Sequence, residues 1–489
     1  MSSSPPPRGR TPRRHAGPAA PAGPASLPAP ASGGPSPDSP AAPEHSASGA
    51  PAPSEPSDPS IPSADPARPS KDPSVLSVPS DLSVPSDPGG ERLWSGNFRL
   101  YFTARTVAML GDTMLPVALS AGLLGYGYSA GDVGLVMAAS TACFAGLVIF
   151  GGVLADRFDA RAQMITADLV RVCSQSLAAV LFLTRSVRLW EVVVIAVVNG
   201  TAAALFQPGV ASTVPRVARD VQGANAVTRT AESTAALLGP AFAGVLIGLT
   251  SPGVVFAVHA STYATSATCL VLLRLAPPPT RVSRAASRFR TDLMEGWREF
   301  RSRTWMWSVI VVWMFYMVLM WGPFTPLAAG QIISGHGAGA YGLVNSSLGG
   351  GTAVGALLAL RFRASRPLRA GSFAISATCL MPLSVGLDLP VAAVCGCVFV
   401  AGIGSALWGV NWATSVQTHV PGDILNRIHA YEVAGSVAMV PVGQAMAGPA
   451  ADALGTRHVL LTGAGVSVLT AGVLLAIPAV RNLRRAVPR

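Results

Sequence analysis

Residues 132–161 read DVGLVMAASTACFAGLVIFGGVLADRFDAR. From Val133 to Ala155 no side chain carries a charge, and a helix of about 20 apolar residues crosses the hydrocarbon core of a bilayer. The run ends abruptly in Asp156, Arg157, Asp159 and Arg161. A bilayer-crossing helix closed by a short charged loop is therefore the building unit.

Outward from it the unit recurs. Twelve apolar stretches follow one another, at about 99–124, 132–154, 163–184, 190–212, 227–250, 254–274, 305–329, 338–361, 369–388, 390–413, 429–450 and 457–479. Composition agrees: 50% of the 489 residues are hydrophobic and 12% charged, against about 25% charged in soluble domains. The fold expected is an all-α membrane protein of twelve transmembrane helices in two six-helix halves. The division falls at the longest break, so that 93–274 is the first half, 275–304 a linker, 305–480 the second half and 481–489 the C-terminus. Phe289, Leu293, Trp297 and Phe300 recur at helical spacing in the linker, with arginines on its other faces, the pattern of an amphipathic helix lying along a leaflet.

Residues 1–92 contrast with all this. The first 90 are rich in Pro, Ser, Ala, Gly and Asp, contain no aromatic residue, and repeat LSVPSD at 76–81 and 82–87. Such a segment buries too little apolar surface to offset its ordering entropy, and a disordered tail is expected, serving either as a docking or phosphorylated arm or as an unselected extension.

The formal charge of +11 belongs to the membrane part. The first 90 residues hold six basic and eight acidic side chains, leaving 29 against 16 for the remainder. Short loops retain positive charge on the cytoplasmic side. With the tail inside, the cytoplasmic loops and the C-terminus hold 21 arginines and the opposite loops only Arg185, Arg188 and Arg457. Both termini are expected in the cytoplasm and the protein in the plasma membrane, with the lipid bilayer and not nucleic acid as its partner. The six cysteines lie in apolar stretches without zinc-site spacing, no GxxxxGK[ST] loop is present, and His259 and His429 lack a ligand-spaced neighbour. No metal, no cofactor and no enzyme activity are expected.

Gly152-Val153-Leu154-Ala155-Asp156-Arg157-Phe158-Asp159-Ala160-Arg161 resembles the GxxxDRxGRR signature of the major facilitator superfamily, with Asp159 where the family has Gly. Gly239-Pro240-Ala241-Phe242-Ala243-Gly244 resembles the GPxxGG element of its antiporter branch, with Ala243 in place of one glycine. Arg105 with Gly111-Asp112, Asp168 with Arg171, and Pro215 followed by Asn225-Ala226 are similar to the enterobactin-exporter and drug-efflux subgroup. The resemblance implies proton-driven export of a small molecule (siderophore, antibiotic or other amphiphile) by a monomer with alternating access. The rival readings are an uptake symporter of a small metabolite, and a non-transporting scaffold or sensor.

Ionisable groups within spans are costly in lipid and face cavities or one another. Asp112, near mid-span, is the candidate proton-linked carboxylate, with Arg105 seven residues earlier on roughly the same face. Gly152, Asp156, Arg157, Arg161, Asp168, Arg171, Glu232, Arg427 and Glu432 are candidate elements of a conformational gate, with Arg229 near them. Gly239, Pro240 and Gly244 are expected to kink helix 5 and pack it closely. Asn199, Gln207, Asn345, Trp408, Asn411 and Trp412 are candidate cavity contacts, and Gln417, Gln444 and Tyr431 could join them.

Overall fold

The computed structural model describes residues 94–155, 159–218, 220–275, 297–298, 300–362, 364–420 and 435–485, the side chains of 148–155, 160, 208 and 211 excepted. The tail, most of the linker, the loop residues Asp156 and Arg157, and the region holding Arg427, His429, Tyr431 and Glu432 lie outside them. Ten described helices are long and apolar enough to cross a membrane. The longest, Thr304–Arg361, is two crossings joined at Gly337, whose φ of 82° leaves the helical region. The segment 435–454 makes the remaining one. We number the twelve α1 (Gly96–Gly125), α2 (Ala130–Ala155), α3 (Ala160–Leu183), α4 (Leu189–Val217), α5 (Val221–Leu249), α6 (Pro252–Leu272), α7 (304–336), α8 (338–361), α9 (Pro367–Gly386), α10 (Val391–His419), α11 (435–454) and α12 (Thr456–Ala476).

Sequence sets where helices begin and bend. Ser95, Asp159 and Asp220 cap α1, α3 and α5 by accepting the backbone N–H of Phe98, Ala162 and Gly223, satisfying donors that a helix start leaves open. Proline, which has no N–H, explains the irregular turns. Pro323 cannot bond back to Leu319, and α7 passes through a π-helical turn at Met317–Trp321 just before it. Pro382 and Pro441 follow the 3₁₀ turns Ser376–Cys379 and Val437–Met439 in the same way. The two halves share one detail: α3 and α9 each end in a non-glycine residue at positive φ, Arg185 (60°) and Asp388 (54°). After each, an N–H reaches back five residues, from Ser186 to Leu181 and from Leu389 to Ser384, the bond that closes a Schellman end.

The chain enters α1 at one end of the bundle, the entry face, and all odd-numbered helices leave that face. At the opposite, far face the buried core is continuous across both halves, including Met114 and Leu123 of α1, Val133 of α2, Leu327 of α7, Met381 of α9 and Ala447 of α11. Toward the entry face it divides in two. One core holds Phe98, Met164, Phe206 and Leu270 of the first half, the other Met306, Leu368, Trp412 and Leu474 of the second. The halves are thus joined at the far face and separately packed toward the entry face.

Glycines make the joints. A Cβ on Gly131 of α2 would lie 2.7 Å from the Cα of Gly448 on α11, and one on Gly342 of α8 2.5 Å from the carbonyl oxygen of Pro240 on α5. Pro240 also leaves the carbonyl of Ala236 without its usual helical donor, and Gly349 of α8 packs against that oxygen. One residue beyond, the N–H of Ala241 donates to Ser346 Oγ of α8 at 3.0 Å. That bond ties α8 to α5 just after its proline.

Candidate functional site

Helix α6 carries His259, Thr262, Tyr263 and Ser266 buried, while its other hydroxyl residues, Ser261, Thr265 and Thr268, are exposed. The spacing of three and four residues aligns them on one face, and that face packs between α1 and α3. Gly111 makes the approach possible, since a Cβ there would lie 2.3 Å from Thr262 Oγ1 and 2.5 Å from His259 Cδ2. Asp112, the next residue, then meets α6: Tyr263 donates its hydroxyl to Asp112 Oδ1, and His259 Nε2 lies 3.5 Å from the same oxygen. His259 is buried while the Asp112 side chain keeps 35% of its surface exposed. The carboxylate is thus held by a phenol and a buried imidazole, with part of its surface left uncovered.

The α6 face continues to α3. Ser266 donates to Asp168 Oδ2 at 2.6 Å, and Arg171 lies 3.9 Å from Asp168 Oδ1. The Arg171 guanidinium stacks over the rings of Tyr263 (4.9 Å) and Phe206 (5.4 Å). Asp168 and Arg171 are both buried, so the charge of each depends on its partner and the rings. Tyr263 links Asp112 to the Asp168–Arg171 pair, touching Asp112 by its hydroxyl and Arg171 by its face.

Arg105 goes elsewhere. It does not pair with Asp112 but with Glu232 of α5, at 2.9 Å from Nη2 to Oε1, and Arg229 reaches the other Glu232 oxygen at 3.1 Å. Seven residues on α1 rise about 10 Å, so a shared face did not bring Arg105 and Asp112 into contact. The Arg105 and Glu232 side chains are 12% and 14% exposed, Arg229 84%.

A cavity of about 230 Å³ lies beneath the far-face core and is lined by both halves, with Leu115 and Pro116 from α1, Ser140 from α2, Gln175 from α3, Asn199 from α4 and Gln444 from α11 among its walls. A second, of about 250 Å³, lies between α7, α10 and α11 and is lined by Trp313, Trp408 and Trp412. Trp408 stacks on Trp313 (5.3 Å) and on Trp412 (6.2 Å), and Trp305 meets Trp412 edge-on. Of the six expected cavity residues, Asn199 lines the first and Trp408 and Trp412 the second. Asn345 and Asn411 instead donate to the carbonyls of Tyr341 and Leu407 on their own helices, and Gln207 lines neither.

Of the signature loop, Gly152 lies in the last turn of α2, and Arg161 donates to the carbonyls of Leu270 and Val271 at the end of α6. Asp159, which stands where the family has glycine, caps α3. Gly239 packs on α1, where a Cβ would lie 2.0 Å from Thr113 Oγ1, while Gly244 faces Ala338 and Gly339. Sequence reasoning passed over His259, taken as isolated, together with Tyr263, Ser266 and Ser346. The polar stripe on α6 was the signal that could have found the first three; Ser346 left none, because its partner is a backbone N–H.

The chain is similar to known transporters along most of its length. It is 20% identical to Macrolide efflux protein A of Streptococcus pyogenes over 423 residues, covering 80% of this chain and 98% of that protein. Its fold is similar to that of the nucleoside transporter NupG (TM-score 0.63, 12% identity, 78% of this chain and 99% of the other). It is likewise similar to a POT family transporter solved with 5-aminolevulinic acid (TM-score 0.62, 11% identity, 78% and 95%). The profile of the Major Facilitator Superfamily matches residues 101–440, and with that match covering more than half of the sequence, this multi-pass membrane transporter belongs to the Major Facilitator Superfamily.

Proposed function

We propose that the protein is a secondary exporter of amphiphilic small molecules, driven by proton antiport, with Asp112 as the proton-carrying group. It acts as a monomer in the plasma membrane with both termini in the cytoplasm, so that the entry face is cytoplasmic. The observation that carries the coupling is the Asp112 carboxylate oxygen met by Tyr263 and His259, on a side chain still open on one side. Export is supported by the similarity to a macrolide efflux protein and by the Gly239-Pro240 element. The resemblance of Arg105, Gly111-Asp112, Asp168 and Arg171 to the enterobactin-exporter subgroup points to siderophores and antibiotics as the compounds to try first.

Alternating access is supported by the division of the core. Opening the far face requires parting α5 from α8 and α2 from α11 at their glycine contacts, while the two entry-side cores close on each other. The loop Gly152 to Arg161, with Asp168, Arg171, Glu232, Arg427 and Glu432, would latch the entry face in the other state. Protonation of Asp112 would remove its negative charge, loosening its hold on α6 and coupling the proton to the rocking of the first half.

The test is proton movement in inverted vesicles challenged with siderophores, macrolides and hydrophobic drugs. Proton release triggered by a compound and abolished by Asp112→Asn is expected. Compound uptake into the vesicles with no proton movement would sink the coupling, and silence across the panel would sink the exporter reading.

A further inference from the structure

The cavity beneath the far-face core holds three amide side chains, Gln175, Asn199 and Gln444, from three helices and both halves of the protein. The carbonyl oxygen of each is buried without a hydrogen-bond partner among the described residues. Leaving such an oxygen unpaired is costly, and folded proteins pair nearly all of them. These three, with no protein donor among the described residues and converging on one cavity, are left to pair with whatever fills it, water or ligand. Ser140, Thr141 and Thr325 add hydroxyl groups to the walls. No Asp, Glu, Lys or Arg is among the lining residues. The nearest charge along the chain, Arg171, lies one turn from Gln175 and is occupied by Tyr263, Phe206 and Asp168.

We propose that this cavity selects an uncharged ligand that carries hydrogen-bonding hydroxyl, amide or carbonyl groups on a small apolar or aromatic body. Amides donate and accept without charge, so they pair with such groups. They cannot neutralise an ammonium or a carboxylate withdrawn from water. The remaining walls, including Leu119, Met137, Phe182 and Phe256, are apolar. At about 230 Å³ the site is smaller than the roughly 300–1,000 Å³ of pockets for drug-sized ligands. It takes a compact ligand, or one polar head of a larger molecule. This inference rests on reading the cavity as the transporter's substrate site.

The test compares three probes that share a phenol ring and differ in charge: 4-hydroxyphenylacetamide, tyramine and 4-hydroxyphenylacetate, titrated against the purified full-length protein at pH 7 by calorimetry. The neutral amide is expected to bind, and the ammonium and carboxylate to bind at least about tenfold more weakly. Gln175→Leu and Asn199→Leu should each lower the affinity for the amide by about tenfold or more. Gln175→Glu, nearly isosteric, should shift the preference toward tyramine, and keeps the test open if a leucine variant does not fold.

Equal binding of either charged probe, no binding of the amide, or leucine variants that keep full affinity would overturn the proposal. Binding is read here without a membrane or a proton gradient. An amide that binds and is taken up into vesicles without moving protons would therefore defeat the antiport reading and leave the ligand class standing.

Discussion

Replacing Gly349 by alanine puts a methyl group where α5 and α8 leave no room for one. Its Cβ would lie 2.6 Å from the carbonyl oxygen of Ala236, 2.8 Å from the carbonyl carbon and 2.9 Å from the nitrogen of Leu237. All three are backbone atoms and cannot swing aside. Ordinary contact begins at 3.4 Å, so the helices must part by about 0.8 Å where they now touch. Overpacking of this kind costs about 1–3 kcal/mol, and the cost falls only on the state in which the far face is closed. The far-open population should rise about 5- to 150-fold.

The assay is the alkylation rate of a cysteine placed at Ala447, fully buried in the far-face core, in an otherwise cysteine-free protein. That cysteine reacts only while α2 and α11 are apart, so its rate follows the open fraction. Gly396→Ala is the control, since a Cβ on Gly396 meets nothing within 4 Å and only improves helix propensity. Equal rates for the two variants would refute the claim that glycine contacts hold the far face shut.

Three further outcomes follow from the same geometry. Ser346→Ala removes a hydroxyl that accepts the Ala241 N–H and should lower stability by about 0.5–1.5 kcal/mol in denaturation of the purified protein, the net worth of one hydrogen bond between helices; an unchanged midpoint would mean that this bond does not hold α5 to α8. Arg105→Gln and Glu232→Gln should be non-additive, with a coupling of about 0.5–3 kcal/mol in a double-mutant cycle read by thermal unfolding. Arg229→Gln, at an exposed end of the same cluster, should stay within about 0.5 kcal/mol of the parent protein; additivity at the first pair would contradict its contact. Asp159→Ala should destabilise the start of α3 by about 1 kcal/mol, seen as faster hydrogen exchange at Ala162 and its neighbours, and unchanged exchange would deny Asp159 its capping role.

The twelve crossings were legible because a bilayer imposes a length and a polarity on every helix it contains, and both are one-dimensional properties. Val133 to Ala155 shows this without any knowledge of its neighbours. The chain blurs at Gly337, a turn between crossings with too few residues to interrupt the helical trace, and at 435–454, where a 3₁₀ turn leaves a helix of only 15 residues. The site was legible in part. Asp112, Asp168 and Arg171 drew notice because a charge inside an apolar run is conspicuous on its own. His259 and Tyr263 did not, since single polar residues on an apolar helix are common and their meaning depended on which helix lay opposite. Arg105 was placed on the face of Asp112 by helical period, yet Glu232, more than a hundred residues away, is its partner.

Sequence alone determined the class of this protein, its helix count and its kinship, because apolar length, loop charge and the motifs at Gly152–Arg161 and Gly239–Gly244 are local patterns. Tertiary structure alone decided that Asp112 meets His259 and Tyr263, that Gln175, Asn199 and Gln444 converge on one cavity, and that Ser346 bonds α8 to α5 just after Pro240. Each of those is a meeting of helices distant in the chain. The closeness of approach that permits it is set by glycines such as Gly111 and Gly349, whose packing partners no local pattern records.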